Sequence, residues 1–444
     1  MNTGIRRVVC IAMIVAFAVT GAHLFAGGQA QQPQPAAAAA DGPAITTLRV
    51  GALFPQTGGM AFGGSNSLQG TQIAVELFNE TNPHGITVEL VTADAPDPAT
   101  GTTGVRQLIT QQNVDVVMGT FSSAVASATA PAAERLNVLY VETTAWAEGI
   151  TRNSTNVLRT TISSGSLGAA AADFILTGLA RELGVAEADM RVALVFTDDE
   201  FGTSIADAAV RRIQSSRASL VVRESYPAAT TSDLSSVLLR IQQERAHAVI
   251  HIAQVPDGVL FWRQAQQLGV DMPAVVGVGG GYGQVDFARP LGANADGIFN
   301  VVPSTSGSIN VASLTPAAQN LLRELQTRVA QRGWTQGPYT DWGFMGTWIF
   351  LNEVVPNAAS TSIADMMAAA ANVRVDALDS ITGFGFEFAG VNHENSGQNL
   401  RAIPVVQQWQ GGQLRVTYPR DLAVADFVNV PLPPWSQRTQ VIGQ

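Results

Sequence analysis

The pattern that most constrains this chain is an alternation that runs once, ends, and starts again. From Thr46, short apolar or β-branched runs alternate with stretches of helical period, and after Thr161 the alternation restarts. In the first half the extended runs fall at 48–54, 86–92, 114–118 and 138–141. Between them lie helical patterns carrying Ile73 and Leu77, then 103–111, then Ser122 to Arg135. In the second half the extended runs are 192–196, 220–222, 248–252, 274–276 and 298–302, with helices predicted over 165–183, 202–214 and 258–268. A further helix places Leu234, Val237, Leu238 and Ile241 on one face, at i, i+3, i+4 and i+7. Strands that alternate with helices build parallel sheets, so the fold class expected is α/β, as two doubly wound parallel-sheet lobes. The length agrees, because 444 residues exceed what one ordinary core accommodates.

The remaining third decides how the lobes connect. Helical patterns at 316–331 and 340–354 fit completion of the first lobe. Extended runs at 384–388, 403–409 and 414–418 fit completion of the second. The predicted division is 46–160 plus 304–383 for lobe 1 and 161–303 plus 384–435 for lobe 2, with 436–444 as a tail. The chain then crosses three times, near Arg159, Pro303 and Phe384. A three-segment hinge of this kind lets two lobes close over a cleft.

The N-terminus sets the compartment. Arg6 and Arg7, an apolar run from Val8 to Val19 and small residues up to Gly28-Gln29-Ala30 have the order of a secretory signal peptide over 1–30. The apolar run falls short of the ~20 residues of a membrane span. Residues 31–45, rich in Gln, Pro and Ala, read as a flexible linker. The single cysteine, Cys10, precedes most of the apolar run. It is therefore badly placed for a lipid anchor, and the mature chain is left without disulfides, thiolate-bound zinc or a cysteine nucleophile. A periplasmic protein follows.

Composition removes other classes. The net charge is −10, and every one of the 25 basic residues is arginine. Nucleic acid needs clustered cations, while Schiff-base chemistry and the phosphate-binding P-loop need lysine. No G-x-S-x-G, H-E-x-x-H or P-loop motif occurs. His251 lies inside an apolar strand and reads as buried, so neither catalysis nor a metal or cofactor is expected.

In open α/β sheets ligands bind beyond the carboxyl ends of the strands. That rule selects loops 55–64, 120–123 and 142–146 in the first unit, and 197–201, 253–257 and 278–282 in the second. The candidate ligand-binding residues on them are Phe62, Ser122, Ser123, Thr144, Trp146, Phe201, Gln254, Gly279 and Tyr282. Ser122 and Ser123 offer hydroxyls and free N–H groups at a helix start, which suits a carboxylate; plain N-capping accounts for them equally well. Trp146 is either a cover for a ligand's apolar part or a packing residue. Asp198, Asp199 and Glu200 read as first-turn acids that complement a helix dipole. The glycine-rich stretch 277–283 lacks the third glycine of the dinucleotide fingerprint G-x-G-x-x-G.

Several segments together resemble one family. Leu53-Phe54-Pro55-Gln56-Thr57-Gly58-Gly59, Phe78-Asn79, Gly119-Thr120-Phe121-Ser122-Ser123, Val157-Leu158-Arg159-Thr160, Pro404-Val405-Val406-Gln407 and Val416-Thr417-Tyr418-Pro419 are similar to segments of branched-chain amino-acid ABC transporter binding proteins. The resemblance runs from about Leu48 to Tyr418. It implies the type I periplasmic binding fold, a monomeric receptor for an amino acid or related small carboxylate or amide, and a membrane permease as partner. By position it implies that Ser123 and the Thr144 backbone hold a carboxylate, that Phe62 and Phe201 are aromatic pocket residues, and that Trp146 contacts ligand. Where such amino-acid binders carry an acid for the ligand ammonium, this chain has the glycines of 277–280. Either Asp199, Asp257 or Asp341 replaces that acid, or the ligand is not an α-amino acid. A sensory module reporting to a membrane partner, and an exported hydrolase on the same layers, are the alternative classes.

Overall fold

The computed structural model describes residues 45–420 and 422–438; the predicted signal segment and nearly all of the linker lie outside them. The first winding reads β1 (Thr47–Phe54), α1 (Ala61–Thr81), β2 (Thr87–Asp94), α2 (Pro98–Thr110), β3 (Val116–Gly119), α3 (Ser123–Arg135), β4 (Leu139–Glu142) and β5 (Val157–Arg159). Its strands form one parallel sheet in the order β2-β1-β3-β4-β5. The second winding begins with α4 (Ser164–Asp173), which passes through a π-helical stretch, Phe174–Leu179, into α5 (Ala180–Leu183). It continues with β6 (Arg191–Thr197), α6 (Glu200–Gln214), β7 (Ser219–Tyr226), α7 (Ser235–Gln243), β8 (Ala248–Ile252), α8 (Val255–Leu268), β9 (Val275–Val278), α9 (Val285–Ala288) and β10 (Phe299–Pro303).

The last third completes both sheets' surroundings. Helices α10 (Pro316–Gln331), α11 (Pro338–Ile349) and α12 (Ile363–Ala370) precede β11 (Pro404–Gln410) and β12 (Gln413–Tyr418). The two late strands add antiparallel to the edge of the second sheet, whose order is β12-β11-β10-β9-β8-β6-β7. Strands β3, β4, β8, β9 and β10 are buried at every position and mostly apolar, with Glu142, His251 and Asn300 as buried polar side chains among them, as expected of sheets covered by helices on both faces.

Helix α11 belongs spatially to α1. A Cβ at Gly70 would sit 2.2 Å from the Thr340 carbonyl oxygen, and one at Gly343 would sit 2.3 Å from that of Ser67. The two backbones therefore touch at a crossing only glycine permits, and Thr347 Oγ1 donates to Thr71 Oγ1 across it at 3.1 Å.

One extended run does not form a strand. Phe384, Phe386 and Phe388 are all buried, which gave the alternation its strand-like look. Here they are joined only by single bridges, Val375 to Phe386 and Phe388 to Asn399. Side-chain amides replace a ladder: Asn399 Nδ2 donates to the Thr160 and Gly385 carbonyls, and Gln398 Nε2 to that of Thr161. Gln398 also bridges to Arg159 in β5. This segment thus lies beside the first sheet, and the chain enters the second sheet at Pro404, not near Phe384. At the other end, Trp435 N–H bonds Asp271 and Arg438 stacks over Trp435 and Trp262, so residues up to 438 pack on the second winding.

Candidate functional site

The carboxyl ends of both sheets face one cavity of about 470 Å³, mouth included. It is lined by Met60, Phe121, Ser122, Ser123, Ala124, Thr144 and Trp146 on one side, Asp199, Phe201, Gln254 and Gly280 on the other, and Tyr339 from α11. Each of the six loops that the strand-end rule selects contributes to this lining, the loop 55–64 through Met60 alone.

The anion-binding end is built from the start of α3. Ser122 is the N-cap, its Oγ accepting the Val125 N–H at 3.5 Å. The amides of Ser123 and Ala124 then have no hydrogen-bond partner among the described residues, at the positive end of a 13-residue helix. Ser123 does not cap its own helix. Its Oγ accepts the N–H groups of Trp146 and Ala147, at 3.3 and 3.2 Å. With both lone pairs occupied, the hydroxyl has only its proton to offer, so toward the cavity Ser123 is a donor. Thr144 Oγ1 and Trp146 Nε1 are buried and have no hydrogen-bond partner among the described residues. Buried polar atoms are ordinarily paired, so this wall presents several unused donors.

Glu142 fixes the geometry from behind. It ends β4 and is fully buried. Its carboxylate accepts the Thr120 N–H at 2.6 Å, the Thr120 hydroxyl at 3.2 Å, and the N–H groups of Thr144 and Ala145 at 2.9 and 2.8 Å. Burial pushes its carboxyl up to about 7 against the pull of these bonds. Arg159, paired with Glu142 in register across β4 and β5, is buried as well. Its guanidinium donates to the Ala147 carbonyl at 2.6 Å, to Thr151 at 3.0 Å and to Gln398 at 2.5 Å, and burial draws it down to about 10. The Trp146 loop is therefore held by Glu142, Ser123 and Arg159 together.

The apolar wall is a chain of edge-on aromatics. Phe121 meets Tyr339 at 4.8 Å, Tyr339 meets Trp342 at 5.6 Å, Trp342 meets Trp146 at 5.5 Å, and Trp146 faces Phe201 at 6.1 Å. Such pairs favour tilted geometries. The opposite loop is shaped to admit them. A Cβ at Gly279, whose φ is +99°, would lie 2.7 Å from Phe201 Cζ, and one at Gly280 would lie 1.7 Å from the Tyr339 hydroxyl.

Three predicted residues sit elsewhere. Phe62 is 58% exposed: α1 starts at Ala61, which turns residue 62 outward, while Met60 and Phe121 supply the apolar contacts. Gly63 gives the Phe121 ring its room, since a Cβ there would be 2.2 Å from Cζ. Tyr282 is fully buried and bonds His251 Nδ1 at 2.5 Å, with Tyr226 on Nε2 at 3.0 Å. Burial draws His251 down to about 3, so it stays neutral in the core. Gly279 does not line the cavity; it shapes it through Phe201. Sequence reasoning missed Met60, Phe121, Ala124 and Tyr339. Met60 and Phe121 lie inside selected loops and Ala124 directly follows one, but nothing in the sequence connects Tyr339 with these loops.

Of the candidate replacement acids, Asp199 alone lines the cavity. Asp257 completes a capping box with Gln254, and burial raises it to about 6. Asp341 accepts from Ser306 N–H at 2.9 Å, Ser306 Oγ at 2.6 Å and Gln336 Nε2 at 2.6 Å. It anchors a crossing segment. Among the described residues no three potential metal ligands come together.

Two parallel-sheet lobes with a shared cleft at their strand ends define a type I periplasmic binding protein. The chain belongs to the periplasmic binding protein family, whose profile matches residues 47–413; the resemblance read from the sequence holds at that level. It is 29% identical over 387 residues to Leu/Ile/Val-binding protein homolog 7 of Brucella suis, covering 87% of this chain and 94% of that one. In fold it is similar to a leucine-binding protein from Thermotoga maritima (TM-score 0.69, 19% identity, 84% of this chain and 100% of that one). A solute-binding protein of an ABC transporter from R. palustris, in complex with 4-hydroxybenzoate, is likewise similar (TM-score 0.65, 19% identity, 83% and 95%).

Proposed function

We propose that this chain is the periplasmic solute receptor of an ABC importer, closing two lobes around a small carboxylate and presenting it to a membrane permease. The single observation that carries the reading is the polarity of the cavity. Free helix amides at Ser123 and Ala124, with the Ser123 hydroxyl limited to donating, stand at one end. Trp146, Phe201, Phe121 and Tyr339 wall the remainder. Donors at a helix N-terminus suit a carboxylate, and aromatic walls suit a compact apolar body. The family and the signal-like N-terminus support an extracytoplasmic location. Leucine and 4-hydroxybenzoate, named for two proteins of the same fold, bracket the chemistry that this cavity fits.

The test is release of whatever co-purifies, by denaturation and mass spectrometry, followed by a thermal-shift screen of amino acids, amides and aromatic acids. A bound ligand at saturating concentration raises the melting temperature by mass action. A protein that carries no solute and shifts with none of these compounds is not such a receptor.

A further inference from the structure

A second cavity adjoins the first at Gly280. It is larger, about 940 Å³ with its mouth, and Gly280 is the one described residue common to both linings. A Cβ at Gly280 would stand 1.7 Å from the Tyr339 hydroxyl, so backbone and ring meet where the two spaces adjoin. The walls of the second cavity come from separate parts of the chain. Gln284 follows the glycine loop, Gln407 lies in β11, and Asp341 and Trp342 belong to α11. Thr305 and Ser306, on the segment that crosses between lobes, complete the lining.

Two buried amides in this wall have unused hydrogen-bonding capacity. Gln407 is 5% exposed, and its side chain has no hydrogen-bond partner among the described residues. Gln284 is 9% exposed, and its Nε2 is buried without a partner. Buried amides elsewhere are used at both ends. Gln398 Oε1 accepts from Arg159, while its Nε2 donates to the Thr161 and Asn399 carbonyls. Gln408, the neighbour of Gln407 in β11, donates to the Gly297 and Val428 carbonyls and accepts the Val428 N–H. A buried polar group without a partner costs about 1–3 kcal/mol, and buried polar groups are ordinarily paired. Water satisfies an amide but gains nothing from Val302, Trp342 and Leu414, which line the same space.

Charge narrows the ligand class. No basic residue lines this cavity among the described residues, and its one acid, Asp341, is already engaged. Oδ2 accepts the Ser306 N–H and hydroxyl, and Oδ1 accepts Gln336 Nε2. An anion would meet a buried carboxylate with no cation to offset it. An amide both donates and accepts, as a hydroxyl group does. Several hydroxyls on a carbon skeleton therefore match the amides and the apolar surfaces together.

We infer that this cavity is a second binding site, for a small neutral polyhydroxyl compound, with Gln284 and Gln407 as its hydrogen-bonding residues. The inference does not depend on the cargo of the first cavity. The test is calorimetric titration of D-glucose, D-ribose, glycerol and myo-inositol, to millimolar concentration, into the unmodified protein, Gln407→Met, Gln284→Met and Ser123→Ala. Methionine fills a similar space without the amide. Gln407 has no protein partner to lose, so Gln407→Met is expected to unfold at or above the wild-type midpoint. At least one polyol is expected to bind, each methionine variant to lose roughly 10-fold or more in its affinity, and Ser123→Ala to keep it. D-glucuronate and D-glucosamine, charged relatives of glucose, are expected to bind no more tightly than D-glucose. No binding by any of the four polyols, or binding that both methionine variants keep, overturns the inference. Binding lost in Ser123→Ala overturns it as well, by placing the polyol in the first cavity. Tighter binding of either charged relative overturns the neutral class.

Discussion

Glu142 accepts the backbone N–H of Thr120 at 2.6 Å, and through that bond the end of β4 fixes the loop that follows β3. The same carboxylate takes the amides of Thr144 and Ala145, so one buried side chain sets the spacing of the two loops that form the donor wall. Its folded-state value, about 7, lies above the ordinary 4.5. A raised acid contributes stability that is full below its unfolded value and is lost as the pH rises through the folded one. The advantage of the wild type over Glu142→Gln is therefore expected to shrink by up to about 3 kcal/mol between pH 4.5 and 7.5, measured by urea unfolding. A gap constant across that range means that the carboxyl is ionised throughout.

Ser122 and Ser123 are neighbours with different work. Ser123→Ala removes the acceptor for two buried amides and one ligand donor. It is expected to cost about 1–3 kcal/mol in stability and at least ~10-fold in affinity. Ser122→Ala removes only a long cap bond, for about 0.5–1 kcal/mol, with affinity nearly kept. Calorimetry on both variants separates the roles; equal affinity losses contradict the assignment.

Gly280→Ala forces a methyl against Tyr339, which lies on another segment of the cavity wall, so the wall is expected to be pushed open and affinity to fall ~10-fold or more. Tyr339→Phe in the same chain removes the 1.7 Å overlap and leaves the one at 2.7 Å with Cζ, so partial recovery is expected. Small-angle scattering with and without ligand reads the closure directly. Full affinity in Gly280→Ala alone means that the glycine is not needed for space.

Arg159 bonds three acceptors that diverge from its planar fork. Arg159→Lys supplies one compact charge in place of that fork and is expected to behave like Arg159→Met. Each should lose roughly 3 kcal/mol together with ligand affinity, because Ala147 and the Trp146 loop are no longer held. Chemical denaturation of the two variants checks this, and a lysine variant of wild-type stability is incompatible with it.

Local patterns carried most of the fold into view. β1, α3, β6, α7 and β8 each have a period or run that reads without ambiguity, and the strand-end rule then located Ser123, Thr144, Trp146, Phe201 and Gln254 with no alignment. What stayed hidden depends on long-range placement. The Phe384–Phe388 alternation has the period of a strand, yet a strand needs a neighbour, and here the amides of Gln398 and Asn399 occupy that role. Phe62 and Tyr282 have the right chemistry for a pocket; a helix start one residue earlier and a buried histidine partner direct them elsewhere. Tyr339 reaches the cavity only because α11 lies on α1, a fact no local window contains.

That glycine-to-glycine crossing governs the order in which the molecule can assemble. Thr71 and Thr347 meet across 276 positions of chain, so the first lobe lacks a wall until nearly all of the polypeptide is present. The second winding forms most of its sheet from contiguous sequence. Contacts so distant along the chain slow folding, and both windings wait on the last third, α11 covering the first and β11 and β12 completing the edge of the second. Neither winding is complete until the last third of the chain is present.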